Sequence, residues 1–266
     1  MSVRDEPVTV PRFASLKASG QKITMLTAYD YTTAALVDAA GIEGILVGDS
    51  LGVVVQGRPN TLAVTLEQMI YHTEMVGRAV QHALVVADMP FLSYQVGIHR
   101  AVENAGRLLK ESRCQAVKLE GGAEQAEVVR ALVSAGIPVM GHIGLRPQAI
   151  HQLGGYKLQR DRERLITDAT AIEQAGAFSI LLECIPPDLA EEITRALRVP
   201  TIGIGAGTGC DGQILVVHDL LALTTGRVPR HAKAYADVGR LIVEAVTRYR
   251  DDVRQNRFPG PEQIRA

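Results

Sequence analysis

Eight short apolar segments alternate with helical patterns along this chain, and the alternation restricts the fold more than any other feature. The segments are short, mostly apolar and rich in Val, Ile and Leu, which is typical of strands buried on both faces of a parallel sheet. They lie at residues 22–29, 44–49, 83–90, 116–121, 138–144, 178–184, 200–207 and 213–220. Eight strands joined by helices favour a closed barrel over an open doubly wound sheet.

Helical patterns fill most of the intervals between these segments. Three of them end just before a glycine, a residue that can adopt the left-handed conformation that terminates a helix. These patterns cover residues 32–40, 123–135 and 162–175. Thr65 and Gln68 form a capping box, and further helices are predicted before residue 22 and over residues 235–255. The sequence therefore predicts one α/β domain over residues 1–266, a (β/α)8 TIM barrel with an extra N-terminal helix and C-terminal helices.

The composition argues against several classes of partner. The net charge is −1 with no basic run, so nothing attracts nucleic acid or an anionic membrane surface. Aromatic residues make up only 4%, which disfavours stacking on nucleic acid. The first residues lack the apolar core of a signal peptide, and no apolar run is long enough to span a bilayer. The three cysteines form no CxxC pair, and we expect reduced thiols in a cytoplasmic protein.

Ionisable side chains lie at the carboxyl ends of five predicted strands, which is the end that carries the catalytic groups in barrels of this kind. They are Asp49, Asp88, Lys118 with Glu120, His142 and Glu183. Lys118 and Glu120 are two positions apart, so they share one face of their strand. Burying an unpaired charge costs on the order of several kcal/mol, so apolar strands gain no stability from these residues. The set as a whole predicts an active site.

Taken singly, each of these residues also fits a structural role. Asp49 or Asp88 alone fits a turn cap or an arginine partner. Lys118 and Glu183 each fit a structural ion pair, and His142 fits a hydrogen-bonded core position. The two aspartates on neighbouring strands together favour a metal site. Magnesium takes one or two carboxylates and keeps water or substrate oxygens at its other positions.

These residue types suit chemistry on a small 2-oxo acid. Such an acid can chelate a divalent metal through its keto oxygen and a carboxylate oxygen, and the metal then stabilises the enolate formed when the adjacent carbon loses a proton. Glu183, in the apolar segment LLECIP, is the candidate base, because apolar surroundings raise the pKa of a carboxylate. Lys118 would pair with the substrate carboxylate. The enolate could attack an electrophile, or the same site could cleave a carbon–carbon bond.

Nine motifs that cover nearly the whole chain resemble those of the ketopantoate hydroxymethyltransferase (3-methyl-2-oxobutanoate hydroxymethyltransferase) family. They are KITMLTAYDY (22–31), ILVGDSLGVVVQG (45–57), HTEMV (72–76), VVADMPFLSYQ (85–95), AVKLEGG (116–122), VMGHIGLRPQ (139–148), GGYKLQ (154–159), LLECIP (181–186) and GIGAG followed by DGQILVVHDLL (203–221). The resemblance implies transfer of a hydroxymethyl group from 5,10-methylenetetrahydrofolate to 3-methyl-2-oxobutanoate. The product would be 2-dehydropantoate, in pantothenate and coenzyme A biosynthesis.

The resemblance also implies roles for individual residues. Asp49 and Asp88 would ligate Mg²⁺, with Glu120 contributing through water, although other divalent metals are possible. Glu183 would be the base. The residues that would contact or surround the oxo acid are Asp49, Ser50, Asp88, Lys118 and His142. The family forms homo-oligomers, typically decamers made of two pentameric rings.

Two other interpretations are open. Barrels of the phosphoenolpyruvate mutase and isocitrate lyase kind resemble this chain in fold and metal use, but they carry a KKCGH loop that this sequence lacks. A catalytically inactive barrel serving as an oligomeric scaffold would not need the acidic residues and the lysine. The chain departs from the family after GGYKLQ, where Arg160 and the run DRER replace the usual glycine, and this change would alter the mobility of a loop over the site.

Overall fold

The computed structural model describes residues 6–264, and the chain divides into two compact units, one ending at Val216 and the other beginning at Val217. The first unit is a closed barrel of eight parallel strands in sequence order. The strands are β1 (Ile23–Thr27), β2 (Gly44–Val47), β3 (Leu84–Asp88), β4 (Ala116–Glu120), β5 (Val139–Gly144), β6 (Ser179–Glu183), β7 (Thr201–Ile204) and β8 (Gly212–Leu215). The predicted TIM barrel is therefore confirmed.

Helices precede and connect the strands of the first unit. They are α1 (Val10–Ala18), α2 (Tyr31–Ala39), α3 (Leu51–Val54), α4 (Leu66–Ala79), α5 (Ile98–Ser112), α6 (Ala126–Ser134), α7 (Ile150–Leu153), α8 (Arg162–Gln174) and α9 (Pro187–Ala196). Two short 3₁₀ turns, Ala123–Gln125 and Pro147–Ala149, precede α6 and α7. The predicted capping box is present, because Gln68 N–H donates to Thr65 Oγ1 (3.2 Å) and Thr65 N–H donates to Gln68 Oε1 (3.0 Å).

Helix α1 closes the amino end of the barrel. Its buried residues Phe13 and Leu16 belong to one apolar cluster with side chains from all eight strands. The ring of Phe13 meets that of Phe178 edge to face, with 5.8 Å between centroids. Since this end is filled with apolar side chains, the buried ionisable residues of the strands lie toward the opposite end.

The strand register brings the carboxyl ends of neighbouring strands to the same level. Asp88 pairs with Lys118 across β3 and β4, and Glu120 pairs with His142 across β4 and β5. Parallel pairing of this kind places side chains of adjacent strands on the same face at the same height. The register therefore assembles a polar layer from residues that are far apart in sequence.

One expectation about the elements needs correction, and one helix was not predicted. The predicted eighth strand, 213–220, ends at Leu215, and Val217–Leu220 forms a short helix, α10. Asp219 accepts a hydrogen bond from Thr224 Oγ1 (2.6 Å), a local contact that favours a turn over continued extended chain. Helix α5 lies in a segment for which the sequence pattern predicted no element.

The second unit contains α10 and one long helix, α11 (Val238–Arg254), where one or two helices were predicted. Backbone hydrogen bonds from Tyr235 to Leu220 (2.8 Å) and from Val238 to Leu221 (3.0 Å) connect the two helices. No residue of α11 is buried. Across residues 6–264, the structure contains no helix with the length and apolar character needed to span a membrane.

Candidate active site

The ionisable residues that the sequence singled out meet at the carboxyl end of the barrel. Their positions are Asp49 two residues after β2, Asp88 at the end of β3, Lys118 and Glu120 in β4, His142 in β5 and Glu183 at the end of β6. The first five are buried, and the Glu183 side chain is 15% exposed. The structure therefore brings the whole predicted set together, with Glu183 nearest to solvent.

Asp49, Asp88 and Lys118 form one connected group. The Lys118 ammonium lies 2.5 Å from Asp88 Oδ1, and the backbone N–H of Asp49 donates to Asp88 Oδ2 (3.0 Å). Gly48 makes this approach possible, since a Cβ there would lie 2.8 Å from Ser50 Oγ and 3.4 Å from Asp88 Oδ2. The two aspartates of neighbouring strands are therefore direct neighbours.

Burial and mutual repulsion shift the protonation of these carboxylates. Burial and the neighbouring Asp88 raise the pKa of Asp49 to about 7, although Lys118 and Gln148 partly oppose the shift. Burial and the charge of Asp49 also raise the pKa of Glu120 well above its ordinary value. Burial alone would lower the pKa of Lys118, but Asp88, Glu120 and Asp49 together raise it, so the lysine stays an ammonium. Three buried carboxylates thus face one buried ammonium.

His142 connects the lysine to Glu183. Lys118 Nζ lies 3.3 Å from His142 Nδ1, and His142 Nε2 lies 3.2 Å from Glu183 Oε2. Burial and the positive charge of Lys118 lower the pKa of His142 well below its usual range, so the imidazole is neutral. An ammonium can only donate, so Nδ1 must accept from Lys118. The remaining proton is then on Nε2, on the side of Glu183.

The end of β6 is held in an unusual backbone conformation. Cys184, directly after Glu183, has a φ of 47°, a left-handed value that few residues other than glycine adopt. Hydrogen bonds from both sides hold it there: its N–H donates to Ile204 O (2.9 Å), and its carbonyl accepts from Gln159 N–H (2.9 Å). Burial raises the pKa of the Cys184 thiol to about 11, so it is not a thiolate nucleophile at neutral pH.

The segment of residues 154–160 lies beside Glu183. The hydrogen bond from Gln159 to Cys184 attaches this loop to the end of β6. Partial burial raises the pKa of Tyr156, and the charge of Glu183 adds to that shift. The residue is 54% exposed, so part of its surface is covered by the protein and part faces solvent. The loop predicted to cover the site is therefore next to it, with one aromatic side chain at the rim.

Ser50, which follows Asp49 in the sequence, is hydrogen-bonded to the buried side chain of Tyr29. Its hydroxyl lies 2.8 Å from the hydroxyl of Tyr29, which follows β1. Burial raises the pKa of Tyr29, so the phenol is neutral and either hydroxyl can be the donor. The Tyr29 carbonyl in turn lies 2.7 Å from His72 Nδ1. The site therefore has two neutral hydroxyl groups, those of Ser50 and Tyr29, close to Asp49.

Two buried polar residues of the site were not among the predicted site residues. Gln148 donates from Nε2 to Asp49 Oδ2 (2.9 Å) and from its backbone N–H to Glu120 Oε2 (3.0 Å). The Tyr94 hydroxyl donates to Gln148 Oε1 (2.8 Å) or to Glu120 O (2.9 Å). Both residues lie on loops, where neutral polar side chains are common. Their only sequence signal is that each falls inside one of the family-like motifs, 85–95 and 139–148.

These side chains would not complete a metal site by themselves, so water and substrate would have to supply the other ligands. Among residues 6–264, no three or more His, Cys, Asp or Glu side chains are arranged to hold an ion. Asp49 and Asp88 are adjacent, and Glu120 shares the partner Gln148 with Asp49. Such a pair suits a cation that takes most of its ligands from water and substrate, as magnesium does.

Comparison by sequence gives one consistent result. A sequence model of the ketopantoate hydroxymethyltransferase family matches residues 7–261. A protein of Rhodopirellula baltica named 3-methyl-2-oxobutanoate hydroxymethyltransferase is 55% identical over 257 residues, which are 97% of this chain and 96% of that protein. A protein of the same name from Desulforapulum autotrophicum is 55% identical over 255 residues, or 96% of this chain and 97% of the relative.

Comparison by structure finds the same barrel in more distant proteins. The crystal structure of 2,3-dimethylmalate lyase, described as a member of the PEP mutase/isocitrate lyase superfamily, superposes with a TM-score of 0.63. The match covers 97% of this chain and 92% of the lyase, at 18% sequence identity. At that identity the likeness shows a common fold and carries no argument about the reaction.

Proposed function

Because this chain belongs to the ketopantoate hydroxymethyltransferase family, we propose that it transfers a hydroxymethyl group from 5,10-methylenetetrahydrofolate to 3-methyl-2-oxobutanoate. The product is 2-dehydropantoate, an intermediate of pantothenate biosynthesis. One observation carries the proposal at the level of the site: three buried carboxylates and one buried ammonium meet at the end of the barrel where catalytic groups are found. The names of the relatives supply the substrate and the transferred group, and the family resemblance supplies the folate donor.

A divalent cation fits this arrangement of charges. The carboxylates of Asp49, Asp88 and Glu120 outnumber the single ammonium of Lys118, and burying such an imbalance is costly. Glu120 Oε1 is buried without a hydrogen-bond partner, although His142 Nδ1 lies 3.8 Å away. Asp49 and Asp88 would hold Mg²⁺, and Glu120 would contact it through water. When bound, the ion would polarise the keto group of the oxo acid and stabilise the negative charge that develops on its oxygen.

Lys118 and Ser50 would bind and orient the oxo acid. The Lys118 ammonium, which its carboxylate neighbours keep charged, would pair with the carboxylate of the substrate. The Ser50 hydroxyl, supported by Tyr29, would donate to a substrate oxygen on the opposite side. Two fixed contacts of this kind hold C3 of 3-methyl-2-oxobutanoate in one position relative to the base.

Glu183 would remove the proton from C3. His142 Nε2, which lies 3.2 Å from Glu183 Oε2, would limit the movement of that carboxylate. The carbon would then form a bond with the methylene carbon of the folate, whose two C–N bonds would break, and water would supply the hydroxyl group on that carbon. The proton held by Glu183 and the remaining proton of water would go to the two folate nitrogens, and tetrahydrofolate would leave. The loop of residues 154–160 would limit access of bulk water to the carbanionic carbon.

The other two interpretations have less support. The lyase comparison reaches only 18% identity, against 55% for the hydroxymethyltransferases. An inactive scaffold would have no reason to keep so many ionisable groups converging in a buried layer, because such a layer does not stabilise a barrel. The family resemblance also supports a homo-oligomer, a decamer, acting in the cytoplasm, and we include both in the proposal.

Proton exchange at C3 tests the proposed function. We expect the protein to exchange the C3 proton of 3-methyl-2-oxobutanoate in D₂O, observed by NMR, when Mg²⁺ is present and not after its removal with EDTA. Addition of 5,10-methylenetetrahydrofolate should then yield 2-dehydropantoate. Exchange that is independent of divalent cations would contradict the metal assignment. Exchange without any hydroxymethylated product would contradict the folate donor.

A further inference from the structure

Gln148 occupies a central position between the carboxylates of the site. Its side chain is 6% exposed and lies in the 3₁₀ turn after β5. Besides its bonds to Asp49 and Glu120, Nε2 donates to Met89 O (3.0 Å), and Oε1 accepts from the Tyr94 hydroxyl. One residue therefore connects the ends of β2, β3, β4 and β5.

The hydrogen bonds allow only one orientation of the Gln148 amide. Nε2 faces two acceptors, Asp49 Oδ2 and the carbonyl of Met89. Reversing the amide would place Oε1 against both acceptors, leaving acceptor facing acceptor at hydrogen-bond distance. Tyr94 can donate to Oε1 in the observed orientation. The amide therefore holds one oxygen of Asp49 in a fixed position.

We propose that Gln148 is a positioning residue for the cation site: it holds Asp49 Oδ2 through its amide and Glu120 Oε2 through its backbone N–H, and thereby directs the second oxygen of each carboxylate toward the cation. This inference rests on the cation proposed above. The buried, unpartnered Glu120 Oε1 supports it, because buried carboxylate oxygens without a partner are rare in folded proteins unless an ion or water completes them. Groups that orient metal ligands through hydrogen bonds are a general feature of metal sites.

Gln148→Met tests the role of the amide. Methionine has a similar length but cannot donate to Asp49, while the backbone bond to Glu120 is retained. We expect the dissociation constant for Mn²⁺, measured by electron paramagnetic resonance of the free ion, to rise by about 10- to 100-fold. The increase in melting temperature that Mg²⁺ gives to the wild-type protein should shrink accordingly. Gln174→Met is the matched control, because Gln174 lies on α8, is exposed and is outside the hydrogen-bond network of Gln148 described above.

A purely structural role would give a different result. In that case Gln148→Met would lower the melting temperature in EDTA but keep the wild-type affinity for Mn²⁺, and the proposal would be wrong. If Gln148→Met does not fold, Tyr94→Phe serves instead: it deletes the hydroxyl that contacts both Gln148 Oε1 and the backbone of Glu120, and it should also weaken Mn²⁺ binding. Unchanged Mn²⁺ binding in Tyr94→Phe would then overturn the inference. If the wild-type protein binds no Mn²⁺, the cation assignment itself is wrong. If the wild type binds Mn²⁺ and the variants bind it equally well, only the role of Gln148 is wrong.

Discussion

At the scale of single residues, the proposed chemistry depends on the connection from Asp88 through Lys118 and His142 to Glu183. The ammonium leaves the imidazole proton on Nε2, which lies 3.2 Å from Glu183 Oε2. In the proposed reaction, binding of the substrate carboxylate at Lys118 and proton removal by Glu183 would therefore be linked through one neutral histidine. Substitution of Glu183, Lys118 or Asp49 should each disturb a different step or property of the site.

Glu183→Gln should abolish exchange of the C3 proton. The amide keeps the size of the side chain but cannot accept a proton, and loss of a general base costs about 10²- to 10⁴-fold in rate. Exchange in D₂O, followed by NMR at saturating substrate, measures the effect. Glu103→Gln, an exposed position on α5, is the control and should exchange normally. Persistent exchange in Glu183→Gln would assign the base to another residue.

Lys118→Met should weaken binding of the oxo acid more than it slows turnover. The variant removes the ammonium that pairs with the substrate carboxylate, and hydrogen bonds to charged groups contribute about 1.5–3 kcal/mol, or roughly one to two orders of magnitude in KM. Steady-state kinetics with 3-methyl-2-oxobutanoate separate KM from kcat. Lys110→Met, an exposed residue of α5, should match the wild type. An unchanged KM would show that Lys118 balances the charge of Asp88 and does not bind the substrate carboxylate.

Asp49 should make the cation-free protein less stable as the pH rises. Its pKa is raised by burial and by Asp88 to about 7 in the folded state, while the unfolded chain has the ordinary value of 3.8. Between these two pKa values the folded protein binds a proton that the unfolded chain does not. The contribution of Asp49 to the free energy of unfolding is therefore full below about pH 4 and is lost as the pH rises to about 7. The loss is on the order of a few kcal/mol.

Urea unfolding in EDTA at several pH values between 4 and 8 measures this dependence. Asp49→Asn removes the titrating group, so its free energy of unfolding should fall less with pH than that of the wild type. Saturating Mg²⁺ should flatten the wild-type profile, because a cation and a proton compete for the same carboxylate. Parallel wild-type and Asp49→Asn profiles in EDTA would contradict the raised pKa.

Much of the site could be predicted from residue type and position. A charged residue at the end of an otherwise apolar strand is conspicuous, and this sequence pattern is sufficient to identify Asp88, Glu120 and Glu183. Gln148 and Tyr94 could not be found in that way. Their importance lies in which atoms they contact, and a neutral amide or phenol on a loop does not indicate its partner.

At the scale of elements, α1 explains how the barrel keeps its polar layer at one end. Phe13 is fully buried and joins the helix to the apolar cluster that fills the amino end. Replacing a large buried aromatic side chain removes both its transfer free energy and its contacts. The extra N-terminal helix is therefore part of the barrel core.

Phe13→Ala should destabilise the protein by about 3–5 kcal/mol. The cavity would open between α1 and Phe178, far from the carboxylates, so folded protein should keep its C3 exchange activity. Urea unfolding of wild type and variant gives the difference in free energy. Leu36→Ala on α2 is the control, because Leu36 is exposed and its loss should cost little. A small effect of Phe13→Ala would mean that α1 adds little to the core.

The elements that the sequence pattern misjudged have physical explanations. Residues 213–220 are apolar enough for a strand, but the run changes from strand to helix at Val217, and periodicity cannot separate short strands from short helices. The buried face of α5 consists of Ala101, Asn104, Ala105, Leu108 and Ser112. Those side chains are mostly small or polar, so the helical spacing is present without a strong apolar signal.

At the scale of the whole molecule, α11 presents apolar side chains to solvent. Ile242, Val246, Tyr249 and Val253 are exposed and follow a four-three-four spacing, which places them on one side of the helix. Single exposed apolar residues are ordinary, but an aligned set is typical of an interaction surface. This surface is consistent with the proposed homo-oligomer.

Sedimentation measures the size of that oligomer. We expect the wild-type protein to sediment with about the mass of ten chains, as the family resemblance implies. Ile242→Asp combined with Val246→Asp should give smaller particles, because burying two carboxylates in an apolar contact costs several kcal/mol, a rough figure. Arg248→Ala, on the same helix, should leave the mass unchanged. A wild-type monomer would refute the oligomer, and unchanged particles in the double variant would place its contacts elsewhere.

The closed amino end of the barrel also determines the route by which reactants would enter and products would leave. With α1 and the apolar cluster in place, both proposed reactants would have to enter, and both products would have to leave, through the opposite rim. The reactant that contacts the deepest groups has to arrive before the one that lies above it. For this protein the oxo acid would bind first and the folate second, and the hydroxymethylated acid could depart only after tetrahydrofolate has gone.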